Sequence, residues 1–111
     1  MNRVILIGNL TRDPERRTTR SGLTTCSFTL AVERDHKDKD GNRVPDYITV
    51  IAWSNTADLC CRYLTKGRQA AVIGSWHNRS YEDKDGNKRT VSECIADDVQ
   101  FLGGPRRDNA P

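Results

Sequence analysis

Read by the alternation of apolar and polar positions, the chain divides into five extended stretches and one helix. Arg3 to Leu10 predicts a first strand, and from Val4 to Ile7 it is apolar whichever way its side chains point. A strand apolar on both faces has to be covered on both. A chain of 111 residues has little interior to do that with, so a second subunit is the expected cover. Thr11 to Gly22 is polar, with Pro14 and Gly22 as breakers. Leu23 to Glu33 alternates as a second strand. Cys26, Phe28, Leu30 and Val32 fall on one face, and Thr25, Ser27, Thr29 and Ala31 on the other. A charged excursion, Arg34 to Pro45, leads into a third strand from Asp46 to Trp53.

Ser54 to Lys66 predicts the helix. Ser54, Asn55 or Thr56 is expected to cap its start. Ala57, Cys60 or Cys61, and Leu64 make its apolar stripe, and Lys66-Gly67 its end. Gln69 to Tyr81 and Arg89 to Leu102 predict the fourth and fifth strands. The pentapeptide DKDGN occurs at Asp38 to Asn42 and again at Asp83 to Asn87. Its glycine comes too early for a calcium loop and no acidic residue closes the loop at the required distance. Two hairpin tips built on Asp-Gly are therefore expected. An all-β chain with one helix between strands 3 and 4 has the element order of the OB-fold, a five-stranded Greek-key barrel, here with long β-hairpins. One domain over 1–102 is expected, and 103–111, without periodicity, reads as a loose tail.

Charge narrows the picture a little. Eighteen basic residues face fifteen acidic ones, too weak an excess to identify a nucleic-acid partner by itself. Its distribution says more. Five arginines but only two acids occur through Arg20, and arginine outnumbers lysine thirteen to five, which suits planar contacts to phosphates and bases. A solvated basic surface is the plainer use. The four cysteines form no C-x-x-C pair and lie far from either histidine, so neither a metal site nor a cofactor is expected. They read as small apolar residues in a reducing cytosol. The apolar run at the start lacks a cleavage site, so no signal peptide is expected, and no stretch reaches membrane-spanning length. No phosphate-cradling loop is present, and Asp97 and Asp98 point to opposite faces of a predicted strand. Nothing in the pattern supports an enzyme.

The third strand carries the sharpest candidate chemistry. Ile48, Val50 and Ala52 suit the barrel interior. Tyr47, Thr49, Ile51 and Trp53 then face outward. Tyr47 and Trp53 lie roughly 20 Å apart along the strand, a spacing that suits successive bases rather than one. Two uses are open to these rings: stacking on bases, or packing under a loop or in a subunit interface. On the fourth strand His77, Arg79 and Tyr81 form an aromatic and basic row. Trp76 falls on the other face with Val72 and Gly74, a packing position unless a bulge intervenes. His36 sits alone in the charged excursion, with base stacking as its functional option.

VILIGNL, DPE, FTLAV, YLTKG, SYEDKDGNK and VQFL, in that order over Met1 to Leu102, resemble the bacterial single-stranded DNA-binding protein family. The resemblance implies that Tyr47, Trp53 and Tyr81 stack on bases of single-stranded DNA, with His36 where many members carry another aromatic. Arg3, Arg34, Arg62, Arg68, Arg79 and Arg89 are the implied phosphate contacts. It also implies a homotetramer in which first strands meet, through Val4, Ile5, Leu6 and Ile7, and a place in the bacterial cytoplasm on the nucleoid. Roles in replication, recombination and repair go with it. Members generally end in a long linker with an acidic tip that recruits replication and repair proteins. This sequence ends in GGPRRDNAP, so it is expected to bind DNA but to recruit such partners weakly. Either it is a truncated piece, or it is a tailless paralogue of the competence or mobile-element kind. Two other readings of the same fold remain beside these: a protein-binding primosome accessory, and a binder of RNA or sugar.

Overall fold

The computed structural model describes residues 1–103. In chain order its elements are β1 (Val4–Leu10), β2 (Glu15–Thr18), β3 (Thr24–Val32), β4 (Asp46–Trp53), α1 (Ser54–Tyr63), β5 (Gln69–Glu82) and β6 (Lys88–Phe101). The sheet runs β1-β5-β6-β4-β3-β2, and a further β1–β3 pairing closes it. The closed ring therefore holds five strands, β1, β5, β6, β4 and β3, as an OB-fold requires. β2 is the addition. It pairs with the first half of β3, while β1 pairs with the second half through Asn9 and Leu10. Its sequence, ERRT, is exposed throughout. With no apolar face to bury, a strand of this kind leaves no alternation to detect.

The alternation of β3 and β4 decides what fills the barrel. Cys26, Phe28 and Leu30 from β3 and Val50 and Ala52 from β4 are buried, together with Leu10, Ala70, Val72, Cys94 and Ala96. Their intervening neighbours face out. α1 lies across one end of the barrel, and Ala57, Cys60 and, just beyond it, Leu64 are buried into the core.

Both ends of α1 differ from expectation. No side chain caps the start: Trp53 holds the N-cap position, still extended at φ −123°, ψ 151°. β4 pairs through to Trp53, opposite Thr25, so no loop residue is left for a cap. The chain turns instead at Ser54, whose φ of 56° is a strained value for a residue with a Cβ. The helix ends at Tyr63, three residues early, because Leu64 becomes extended and buries its side chain. Gly67 is left-handed, as expected of it, but it serves the next turn and not the helix end. Its N–H donates to the carbonyl of Leu10 at 2.8 Å, and the Leu10 N–H donates to the carbonyl of Arg68, tying this turn to β1.

The repeated pentapeptide folds the same way twice. Asp38 and Asp83 each accept, at one carboxylate oxygen, the backbone N–H groups two and four residues on, at 2.9–3.0 Å. The glycine in each, Gly41 or Gly86, has a φ near +80° that residues with a Cβ rarely adopt. In each, one carboxylate oxygen is spent on its own turn, which agrees with hairpin tips. The second tip joins the two fourteen-residue strands β5 and β6.

One face of β1 is covered by its own chain. Val4 and Leu6 pack against the core, whereas Ile5 and Ile7 are 68% and 52% exposed. Of the four residues expected at a subunit interface, Ile5 and Ile7 are thus the two left free to meet a partner. The expected tail falls, from residue 104 onward, outside the described residues.

Candidate nucleic-acid interface

Cross-strand partners in a sheet point to the same side. The registers therefore assemble one outer surface from five strands. Arg17 of β2, Thr25 of β3 and Trp53 of β4 stand in one line. Beside it run Ser27, Ile51, Ile95 and Ser75, carrying the surface from β3 through β4 and β6 to β5. Further along, Thr29 pairs with Thr49 and Ala31 with Tyr47. On the β5–β6 hairpin His77 faces Glu93, and Tyr81 faces Arg89. Tyr47, Trp53 and Tyr81 are 67%, 43% and 45% exposed. Tyr47 and Trp53, on a strand whose Val50 and Ala52 are wholly buried, have been placed outward by the pleat, and Tyr81 lies on the exposed reach of the β5–β6 hairpin. They present flat apolar faces that a nucleobase fits.

Two open clefts lie along β3 and β4. One, of about 600 Å³, lies at the root of the β3–β4 connection and is lined by Val32, Arg34, His36, Lys37, Val44 and Asp46. His36 is thus next to the Tyr47 end of the row. The other, of about 210 Å³, lies over the middle of β3 and β4 and is lined by Arg12, Asp13, Glu15, Ser27, Thr29 and Thr49.

The arginines expected at phosphates separate into three groups. Arg34, Arg79 and Arg89 border the ring surface, each held by a carboxylate. Arg34 donates through Nε and Nη2 to Oδ1 of Asp46 at 3.1 and 2.8 Å. Arg79 donates to Oε1 of Glu93 at 2.8 Å, and Arg89 to Oδ2 of Asp83 at 2.9 Å. The Arg34 bond pulls the Asp46 carboxyl below its ordinary range. The Arg89 bond, aided by the backbone N–H groups of Asn87 and Asp85, does the same for Asp83. Glu93 is the one charged residue buried among the described residues, at 5% exposure, so Arg79 neutralises it in the middle of the surface. The Arg34–Asp46 pair is exposed and worth little to stability, whereas Arg79 offsets a buried charge; in each pair the guanidinium keeps donors free for an incoming phosphate.

Arg62 and Arg68 form a second group at the far end of α1. Arg62 lies over the ring of Tyr63, and Arg68 over that of Phe101, with its Nη1 donating to the Tyr63 carbonyl. Among the described residues, no hydrogen bond, ion pair or ring contact joins them to the β4 row. Arg3 is exposed just ahead of β1, where Asn2 bonds both backbone groups of Trp76.

Arg12 and Arg17 are not among the phosphate contacts that the resemblance implies, yet the fold brings both to this surface. β2 brings Arg17 into line with Trp53, and the β1–β2 connection brings Arg12 over Thr49. The basic run Arg12, Arg16 and Arg17 was the available signal, but without β2 nothing oriented it. Trp76 keeps the expected face, opposite the buried Cys94, yet is 37% exposed, two residues beyond Gly74 where the pairing of β5 with β1 ends. The bulge lies on β6: the register shifts at Ile73/Gly74, leaving Asp97 as an extra residue.

Comparison with known proteins agrees with this geometry. The model of the family described as "Single-strand binding protein family" matches residues 1–102. The chain is 47% identical over 109 residues to single-stranded DNA-binding protein 1 of Staphylococcus aureus strain Mu50, covering 98% of this chain and 69% of that one. It is 44% identical over 102 residues to the single-stranded DNA-binding protein of Caldanaerobacter subterraneus subsp. tengcongensis, covering 92% and 68%. To single-stranded DNA-binding protein 2 of Listeria monocytogenes it is 42% identical, covering 98% and 68%. With an OB barrel, an outward aromatic row and a family match over nearly its whole length, the chain belongs to the single-strand binding protein family.

Proposed function

We propose that residues 1–102 form a domain that binds single-stranded DNA without regard to sequence, and that it serves replication, recombination and repair. The observation that carries this is the outward aromatic row: Tyr47, Trp53 and Tyr81 stand exposed on one surface bordered by arginines. Every base has a π-face, so stacking on such rings tolerates any sequence. Phosphates meet Arg34, Arg79 and Arg89, with Arg12 and Arg17 along the same surface. His36 adds a weaker stacking point. Single-strand binding proteins are non-enzymatic, and this chain acts by covering its ligand rather than changing it.

Titrating the protein with an unstructured oligothymidine tests the reading, with tryptophan fluorescence as the readout. Strong, saturable quenching is expected as bases cover Trp53. The logarithm of the affinity should fall with the logarithm of salt concentration at a slope of about −0.7 per phosphate contact. No quenching, or binding indifferent to salt, would overturn it.

The same reading makes the chain a homotetramer whose first strands meet. Ile5 and Ile7 lie open in a row on β1, an apolar edge that a second copy would cover. Light scattering at micromolar concentration is expected to return four times the 12.5 kDa chain mass. A monomeric mass would leave that face without its cover.

A further inference from the structure

Cys26 and Cys61 are 35 residues apart in sequence, yet their Sγ atoms lie 2.6 Å from each other, with Cys61 donating to Cys26. Cys26 is in β3, pointing into the barrel and wholly buried. Cys61 is on the last turn of α1 and partly exposed. Both thiols are free. A covalent sulfur–sulfur bond is about 2.05 Å long, so joining them requires a movement of about half an ångström. Neither remaining cysteine has this relation to another. Cys60 is buried in the core beside Cys61 in sequence, where adjacent residues rarely bridge, and Cys94 is buried on β6.

We propose that Cys26 and Cys61 form a reversible intramolecular disulfide by exchange with a low-molecular-weight disulfide, Cys61 being the entry point. The Cys61 thiolate attacks one sulfur of the reagent, forming a mixed disulfide and expelling one thiolate. The Cys26 sulfur then attacks Cys61 Sγ from inside the barrel, and the second reagent thiolate leaves. The two protons lost by the protein thiols end on the two expelled thiolates. One disulfide reagent is thus reduced to two thiols while two protein thiols are oxidised to one bond. The order follows from access: only Cys61 reaches solvent. Burial, with the hydrogen bond from Cys61 next, raises the Cys26 thiol well above its ordinary range, so it stays protonated until the mixed disulfide lies against it. Burial likewise pushes the Cys60 thiol up to about 12, but it is the position of Cys26, whose Sγ lies against Cys61 Sγ, that makes it rather than Cys60 the resolving thiol.

The bond would cross-link α1 to β3 behind the ring surface. Arg16, the cross-strand partner of Cys26, already reaches α1 through a 2.8 Å ion pair with Asp58. Trp53, just ahead of α1, is paired with Thr25, the neighbour of Cys26. The cross-link therefore spans the same junction that places Trp53.

The test is to incubate the folded full chain with oxidised glutathione, quench with an alkylating reagent and count thiols after denaturation. Free thiols are expected to fall from four to two, with peptide mapping linking Cys26 to Cys61. Cys94→Ser should still form the link. Cys61→Ser should not, and Cys26→Ala should stop at a stable glutathione adduct on Cys61. The cross-linked chain should melt roughly 10 °C above the reduced one, since the bond restrains the unfolded state without displacing the folded one. Four thiols left free, a link mapped to another pair, or an unchanged or lowered Tm would overturn the proposal.

Discussion

Replacing Tyr47 and Trp53 together by alanine is expected to weaken binding of single-stranded DNA by about 2–6 kcal/mol, while the fold survives. Each stacked base contributes about 1–3 kcal/mol as read by alanine substitution. The two rings lie at opposite ends of the outer row of β4, far enough apart for their effects to add. With about 1.4 kcal/mol per tenfold, the loss corresponds to roughly thirty-fold to twenty-thousand-fold in Kd. Both rings are exposed, and the buried residues between them, Val50 and Ala52, are untouched, so the barrel has no reason to open. Anisotropy of a labelled oligothymidine is the right measurement, because the substitution removes the fluorescent reporter at position 53. The salt slope should stay as it was, since no phosphate contact is lost. An affinity within threefold of the parent, with an unchanged circular dichroism spectrum, would remove this row from the site.

The largest effect on stability is expected at Gly74. It lies on β5 between two strands, opposite Val4 of β1 and Ala96 of β6, where the β5–β6 register shifts. A Cβ there would overlap the carbonyl oxygen of Ile95 and come within 3.0 Å of the Ala96 Cα. Both obstacles are backbone, which cannot rotate aside as a side chain would. Overpacking ordinarily costs about 1–3 kcal/mol, and a strand held on both sides belongs at the upper end of that range. Gly74→Ala is therefore expected to lose about 3 kcal/mol. For a domain of this size that lowers Tm by roughly 12–24 °C. Thermal unfolding followed by circular dichroism decides it. A Tm within two or three degrees of the parent would mean that β5 and β6 separate there without cost, against the close approach described.

Period-two alternation determined most of what is specific about this protein. Once Cys26, Phe28 and Leu30 are on one face of a strand, Thr25, Ser27 and Thr29 have to be on the other. The same rule turns Tyr47 and Trp53 outward independently of any tertiary contact, because Val50 and Ala52 have to turn inward. The pentapeptide DKDGN likewise carries its own turn: an Asp side chain and a left-handed glycine close it locally, and it folds identically in two different surroundings. Tertiary structure decided what has no local signature. β2 is a strand only because β3 offers it a free edge, and that pairing alone brings Arg17 into line with Trp53 across Thr25. α1 begins without a cap and stops at Tyr63 because β4 runs into it and Leu64 is drawn into the barrel. The approach of Cys61 to Cys26, and the pairing of Arg79 with a buried Glu93, join residues that are distant or unremarkable in sequence. Alternation and turn chemistry act within a few residues and can be read from them. Register, bulges and the packing of a helix across a barrel are settled only when the whole ring closes.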